Sequence, residues 1–287
     1  FFFKQTPAYE IGVRLVGSEM CIRDRNRELS NRPVARLKGI TVYSPQGGLA
    51  LQDVGLEVLR GEVIGVAGVE GNGQRELALV LSGRQEVASG KLEIPEHVGF
   101  IPQDRTREGL AADFDLTENV ALALHRDPKF RLGPLLRWSL IESHATKIRS
   151  RFKVRSSSGR TLARELSGGN QQKVMLGRWL DRKSKLLVMA EPTRGVDVGA
   201  RAEIYRVLRD FADQGMAVLV ASSDIEEVTR ISDTIYVLSR GEIVSKYKAN
   251  EVTQAQLSGS FPGSRYSNLT NHQKLDLFDR YDRFIRS

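Results

Sequence analysis

Apolar residues change their spacing several times along this chain, and the changes mark its elements. Residues 34–43 and 49–59 alternate weakly between apolar and polar, which predicts two half-buried strands. Residues 62–67 form a short, mostly apolar run, and a helix is predicted from about 76 to 82. Two further apolar runs, 186–190 and 217–221, have the length and composition of buried strands. Helical spacing appears at Ile141, Ala145, Ile148 and Phe152, so residues 139–152 predict one helix face. Residues 116–125, starting after Thr117-Glu118, predict a shorter helix, and 171–180 consists of good helix formers. Residues 131–138 contain Gly133-Pro134 and read as loop or turn, and 156–160 as a polar loop. Helices over 199–213 and 225–230 precede a closing hairpin, 234–239 and 242–247, around Arg240-Gly241.

Three stretches carry candidate chemistry. Leu166-Ser167-Gly168-Gly169-Asn170-Gln171-Gln172-Lys173 reads as a helix start in which Ser167 caps and the glycines let a ligand approach the backbone. Free N–H groups at such a tip suit an anion, above all a phosphate. The run Leu186-Leu187-Val188-Met189-Ala190 delivers Glu191 to its carboxyl end, where α/β folds present catalytic acids, before the turn Pro192-Thr193-Arg194-Gly195. Upstream, the run 62–67 leads into Gly68-Val69-Glu70-Gly71-Asn72-Gly73-Gln74-Arg75 and then a helix. Strand, glycine loop and helix in that order can turn backbone N–H groups onto phosphates; a glycine-rich turn without nucleotide is the alternative.

Composition bounds the rest. The 287 residues are 40% hydrophobic and 27% charged, an ordinary globular balance for one large or two small domains. Net charge is +8, yet no Lys/Arg run is long or interleaved with aromatics, so we read a basic surface rather than a nucleic-acid binder. No apolar run approaches membrane-spanning length. The single cysteine, Cys21, excludes a disulfide framework, and His97, His125, His144 and His272 lack ligand spacing. Residues 1–25 begin with Phe, and Arg14 and Glu19 interrupt any apolar core, so this is no signal peptide. The stretch reads as a translated adaptor scar on a chain cut from a longer gene product, or else as a disordered arm. Residues 258–266 read as linker, and Leu275, Phe278, Tyr281 and Phe284 lie at helical spacing in a C-terminal amphipathic helix.

Together the 166–173 and 186–197 phrases resemble the signature motif and the Walker B/D-loop segment of ABC-type ATPases, and the resemblance covers about residues 34–257. It implies an α/β P-loop NTPase fold with a mixed RecA-like sheet core, an antiparallel β portion, and an α-helical signature subdomain at about 110–180. The nucleotide-binding domain would run over 26–257, with linker and helix over 258–287. By resemblance, Gly68, Gly71, Asn72, Gly73, Gln74 and Arg75 bind ATP. Tyr43 stacks on adenine or fills the core. Leu166, Ser167, Gly168, Gly169, Asn170 and Gln171 form the signature, and Asp197 belongs to the D-loop. Gln103, within Phe100-Ile101-Pro102-Gln103-Asp104-Arg105, holds the Q-loop position, Glu191 that of the general base, and Ser223 that of the switch histidine.

Four positions depart from the family pattern. Gln74 and Arg75 replace Lys and Ser/Thr, Ala190 replaces the Walker B Asp, and Ser223 replaces His. A lysine ammonium beside a phosphate is worth up to about 4 kcal/mol at an effective dielectric near 20, and a neutral amide does not match it. Both groups that hold Mg²⁺ are lost together, which suggests a site relieved of metal-dependent hydrolysis. Three phrases, residues 65–77, 101–110 and 191–201, look like the second nucleotide-binding domain of tandem importer ATPases for monosaccharides or nucleosides. Members usually carry Glu at the Gln103 position, and the ribose type keeps Asp at the Ala190 position, so Ala190 leans toward the nucleoside branch. The resemblance implies ATP as ligand, with Mg²⁺ at a partner-completed site and doubtful at its own. It implies as partners a first nucleotide-binding domain, transmembrane permease subunits and, indirectly, a periplasmic or lipid-anchored substrate-binding protein, and a place on the cytoplasmic face of the plasma membrane. The alternatives are a non-transport ABC ATPase and a non-hydrolysing regulatory nucleotide-binding module.

Overall fold

The computed structural model describes residues 30–44, 46–179 and 184–260. The stretch 1–25 and the amphipathic segment within 261–287 lie outside the described residues. Strands β1 (Pro33–Tyr43) and β2 (Leu49–Leu59) pair antiparallel, as their alternation requires, with one face buried and one wet. Strand β3 (Val63–Ala67) is buried along its whole length. Strand β4 (Ser89–Glu93) pairs with β1 and completes a three-stranded antiparallel sheet. No strand was expected there: only Leu92 of Ser-Gly-Lys-Leu-Glu is apolar, so an exposed edge strand leaves little periodicity to read.

The second sheet carries the site. Strands β5 (Val98–Ile101), β8 (Leu186–Ala190), β9 (Ala217–Ser222), β10 (Thr234–Ser239) and β11 (Glu242–Lys248) join β3 in the order β11-β10-β3-β9-β8-β5. All neighbours run parallel except the edge hairpin β10–β11. Because β3 lies between β9 and β10, chain segments far apart in sequence end side by side.

Both faces of this sheet are covered. On one face Ile64, Val66, Val188 and Leu219 pack with helix Gln74–Leu81 and the antiparallel sheet. On the other, Leu187, Met189 and Val220 pack with helices Leu116–Leu124, Trp138–Arg151, Gly168–Gly177 and Val198–Asp213. Short apolar strands therefore needed no alternation. A third cluster under helix Ile225–Ile231 joins Val237, Ala249 and Leu257. The mixed sheet, antiparallel portion and helical layer implied by the resemblance are all present.

Several boundaries differ from expectation. Residues 131–138 hold a two-residue hairpin, β6 (Arg131–Leu132) and β7 (Leu135–Leu136), turned by Gly133 at φ 59°. The helix expected over 116–125 is Leu116–Leu124, and the capping box that fixes its start is formed by Asp115 with Glu118. The signature helix starts after Ser167, as its cap predicts, and runs over Gly168–Gly177, ending before the run of good helix formers at 171–180 does. Among the described residues no helix is long and apolar enough to cross a membrane.

Candidate functional site

The glycine loop leaves the carboxyl end of β3 and turns into helix Gln74–Leu81. Gly73 caps that helix at φ 105°, a conformation that L side chains rarely adopt, and a Cβ there would lie 2.7 Å from the Ala50 carbonyl. The loop is braced from behind: Asn72 Oδ1 accepts from Arg240 N–H at 2.8 Å, and its carbonyl accepts from Gly241 N–H at 3.0 Å. Tyr43 ends β1 opposite Leu49, next to Ala50, and its ring is exposed.

Gln74 does not reach outward. It is buried, and its Nε2 donates to the Val69 carbonyl at 3.0 Å, folding the amide into the loop. Arg75 points elsewhere, pairing with Glu108 at 3.1 Å. Glu70 was not among the expected site residues. Its Oε1 accepts from Arg194 at 3.0 Å and from Gln103 Nε2 at 3.3 Å. Arg194, then Gln103, hold the Glu70 carboxyl below its ordinary range. Gly68 and Gly71 sit at the inner and outer ends of this loop, one buried and one exposed.

At the end of β8, Ala190 turns its methyl into the core, 4% exposed. Glu191 follows at φ 47°, a strained setting for a glutamate. Its carboxylate accepts from Ser223 N–H at 2.7 Å and from Ser222 Oγ at 3.2 Å. Ser223 thus meets Glu191 through its backbone. Ser222 Oγ also lies 2.7 Å from Oε2 of buried Glu227. Burial, above all, pushes the Glu227 carboxyl up to about 7; the Ser222 and Thr193 hydroxyls oppose this, while Glu191 and Asp224 add to it. Neither Ser222 nor Glu227 could be singled out from sequence, since only the β8–β9 pairing brings them to Glu191.

The signature stretch forms a separate tip. Ser167 is exposed, and its Oγ accepts from Asn170 N–H and from Asn170 Nδ2 at 2.9 Å. Asn170 Oδ1 in turn accepts from Arg155 N–H at 2.9 Å, and Gln171 donates to the Ala163 carbonyl at 2.9 Å. Leu166 is core. Gly168 packs on the Gly195 carbonyl and the Arg105 guanidinium, and Gly169 on Ala200 and Asp197. Asp197 caps helix Val198–Asp213 through Ala200 N–H at 2.9 Å. Arg105, which sequence reasoning passed over, joins tip to loop: its Nη1 donates to the Arg194 carbonyl at 2.6 Å.

A cleft of about 470 Å³ lies among Arg75, Gln103, Arg105, Gln171 and Arg194. A larger hollow of about 930 Å³ is lined by Arg60, Lys185 and Met216, at the amino ends of β8 and β9, away from the glycine loop. Ligands in open α/β sheets bind at the carboxyl ends, so the chemistry belongs to the smaller cleft. The described residues do not fit a magnesium ion on the loop. Arg75 is a cation already paired with Glu108, Ala190 is a buried methyl, and Glu191 is held by two donors.

This fold and loop define an α/β nucleotide-binding domain. The model of the ABC transporter family matches residues 51–194, half of the chain, and the chain belongs to that family. It is 35% identical to the guanosine import ATP-binding protein NupO of Bacillus subtilis over 277 residues, covering 91% of this chain and 54% of that one. It is 37% identical to the glucose import ATP-binding protein TsgD13 of Haloferax volcanii, covering 82% of this chain and 46% of that one. Against the ribose import ATP-binding protein RbsA 1 of Rubrobacter xylanophilus the identity is 39%, covering 73% and 44%. The chain thus spans about half the length of the curated relatives it matches. Among solved structures, the dimeric ATP-binding cassette MJ0796 superposes with a TM-score of 0.65 at 21% identity, covering 75% of this chain and 98% of that one. The ADP conformation of the cassette MJ1267 gives 0.64 at 23% identity, covering 77% and 93%. These two speak for the fold: a P-loop ABC ATPase.

Proposed function

We propose that this chain is the second ATP-binding domain of a tandem ABC importer ATPase for monosaccharides or nucleosides. The domain runs over 26–257, with the helical part at about 110–180. The reading is supported by relatives about twice as long whose names describe guanosine, glucose and ribose import. One observation carries the division of labour within it. Ser167 is exposed at a helix tip, while Gln74 folds into its own loop and Ala190 is buried in the core.

Ser167, Gly168 and Gly169 are offered to the γ-phosphate of an ATP held by a first nucleotide-binding domain, where Mg²⁺ supports hydrolysis. The chain's own loop, with Gly68, Gly71, Asn72, Gly73, Gln74 and Arg75, holds a second nucleotide as glue, with Tyr43 on the adenine. Gln103, Glu191, Ser223 and Asp197 keep the family's positions around it without metal-dependent turnover. Permease subunits and, indirectly, a periplasmic or lipid-anchored substrate-binding protein complete the importer, with this chain on the cytoplasmic face of the membrane. ATPase assay of the tandem protein tests this. Ser167→Arg is expected to abolish turnover, and Gln74→Ala to change it little; equal losses from both overturn the division.

A further inference from the structure

Glu70 stands at the lip of the glycine loop, and one of its oxygens gathers two donors. Oε1 accepts from the Arg194 guanidinium at 3.0 Å and from the Gln103 amide at 3.3 Å. The donors come from different strand ends, Gln103 after β5 and Arg194 after β8. A guanidinium and an amide converging on one anionic oxygen is the arrangement that also holds a phosphate oxygen. Arg194 is steadied by Arg105, whose Nη1 donates to its carbonyl at 2.6 Å. Beside them opens the arginine-lined cleft of about 470 Å³, with room for more than a carboxylate.

The Glu70–Arg194 pair is easily broken. Its side chains are 68% and 57% exposed. Exposed pairs of this kind contribute roughly 0–1 kcal/mol. A nucleotide's terminal phosphate carries more charge and more acceptor oxygens, and can take a guanidinium through two parallel hydrogen bonds. We propose that Glu70 is a built-in substitute for a phosphate oxygen: it occupies Arg194 and Gln103 until a nucleotide on the 68–75 loop brings its terminal phosphate to them and displaces it. The proposal rests on the nucleotide-binding reading above and adds a competitor to that site. It makes the glycine loop's own carboxylate a brake on triphosphate affinity, one that monophosphates do not feel.

The consequence has an unusual sign. Loss of a structural ion pair leaves affinity unchanged or weaker; loss of a competitor strengthens it. The experiment is calorimetric titration of the purified chain with ATP and with AMP, for the parent, Glu70→Gln, Arg194→Ala and the double variant, each checked by circular dichroism. Glu70→Gln is expected to tighten ATP binding roughly 2- to 5-fold, and Arg194→Ala to weaken it about 10-fold. The double variant should match Arg194→Ala within about 2-fold, because without the guanidinium there is little left to compete for. AMP affinity should be the same in all four. Unchanged or weaker ATP binding by Glu70→Gln, or strictly additive effects, overturns the exchange alone. A parent chain that binds no ATP overturns the nucleotide reading with it.

Discussion

Ser222 has one hydroxyl proton and two carboxyl neighbours, Glu191 at 3.2 Å and Glu227 at 2.7 Å. With both glutamates ionised, one of those contacts would set lone pair against lone pair. A proton on Glu227 resolves the count: the acid donates to Ser222 Oγ, and Ser222 donates to Glu191. Burial favours the same answer, since it pushes Glu227 up to about 7 from an ordinary 4.5. Between those two pH values the unfolded chain has lost this proton and the folded chain keeps it. Stability therefore falls as pH rises through that window and levels off above about 7. The whole effect is on the order of 3 kcal/mol. Glu227→Gln keeps a donor for Ser222 and cannot ionise. Urea unfolding at a series of pH values should show the parent losing stability relative to this variant from about pH 4.5 to about 7. A pH-independent difference would mean that Glu227 is already charged.

The helix Gly168–Gly177 is aimed by what it packs against. Buried Lys173 pairs with Glu203 and fixes its rotation. At its far end Gly177 meets helix Trp138–Arg151 so closely that a Cβ would lie 2.3 Å from Ile148 Cγ2. Gly177→Ala sets two effects against each other. Alanine is the better helix former by about 1 kcal/mol. Overpacking a filled core costs about 1–3 kcal/mol. Ile148 is fully buried and β-branched, so it has nowhere to turn, and overpacking is expected to win. Urea denaturation should give a lower midpoint with the same slope; a raised midpoint would show that the two helices separate freely and do not aim the Ser167 tip.

Across the whole molecule, part of the net charge of +8 gathers at one place. Arg75, Arg105 and Arg194 line the cleft beside the loop. If guanidinium groups and backbone N–H groups carry the phosphates, binding does not need a divalent cation. Thermal unfolding of the chain tests this. ATP at about 100-fold over its Kd stabilises by roughly 2.7 kcal/mol, a shift of several degrees. The shift should be the same in EDTA as in magnesium. A shift confined to magnesium would sink the metal-free reading of this site.

Local periodicity determined the elements whose own faces are uniform. Residues 49–59 and 234–239 form strands over the expected spans, and the buried runs at 63–67 and 186–190 are strands because each is apolar on both faces. Glycine and capping patterns likewise exposed the loop at 68–73 and the Ser167 tip, since backbone conformation there is a local matter. The polar edge strand β4 escaped, having no apolar face to display. The contacts that give the site its character escaped too. Glu70 and Arg194 are 124 positions apart, and Glu191 and Ser223 are 32 apart. Which strand ends become neighbours is decided by sheet order, with β3 slipped between β9 and β10, and that order follows from how the finished layers pack, which no short window of sequence contains.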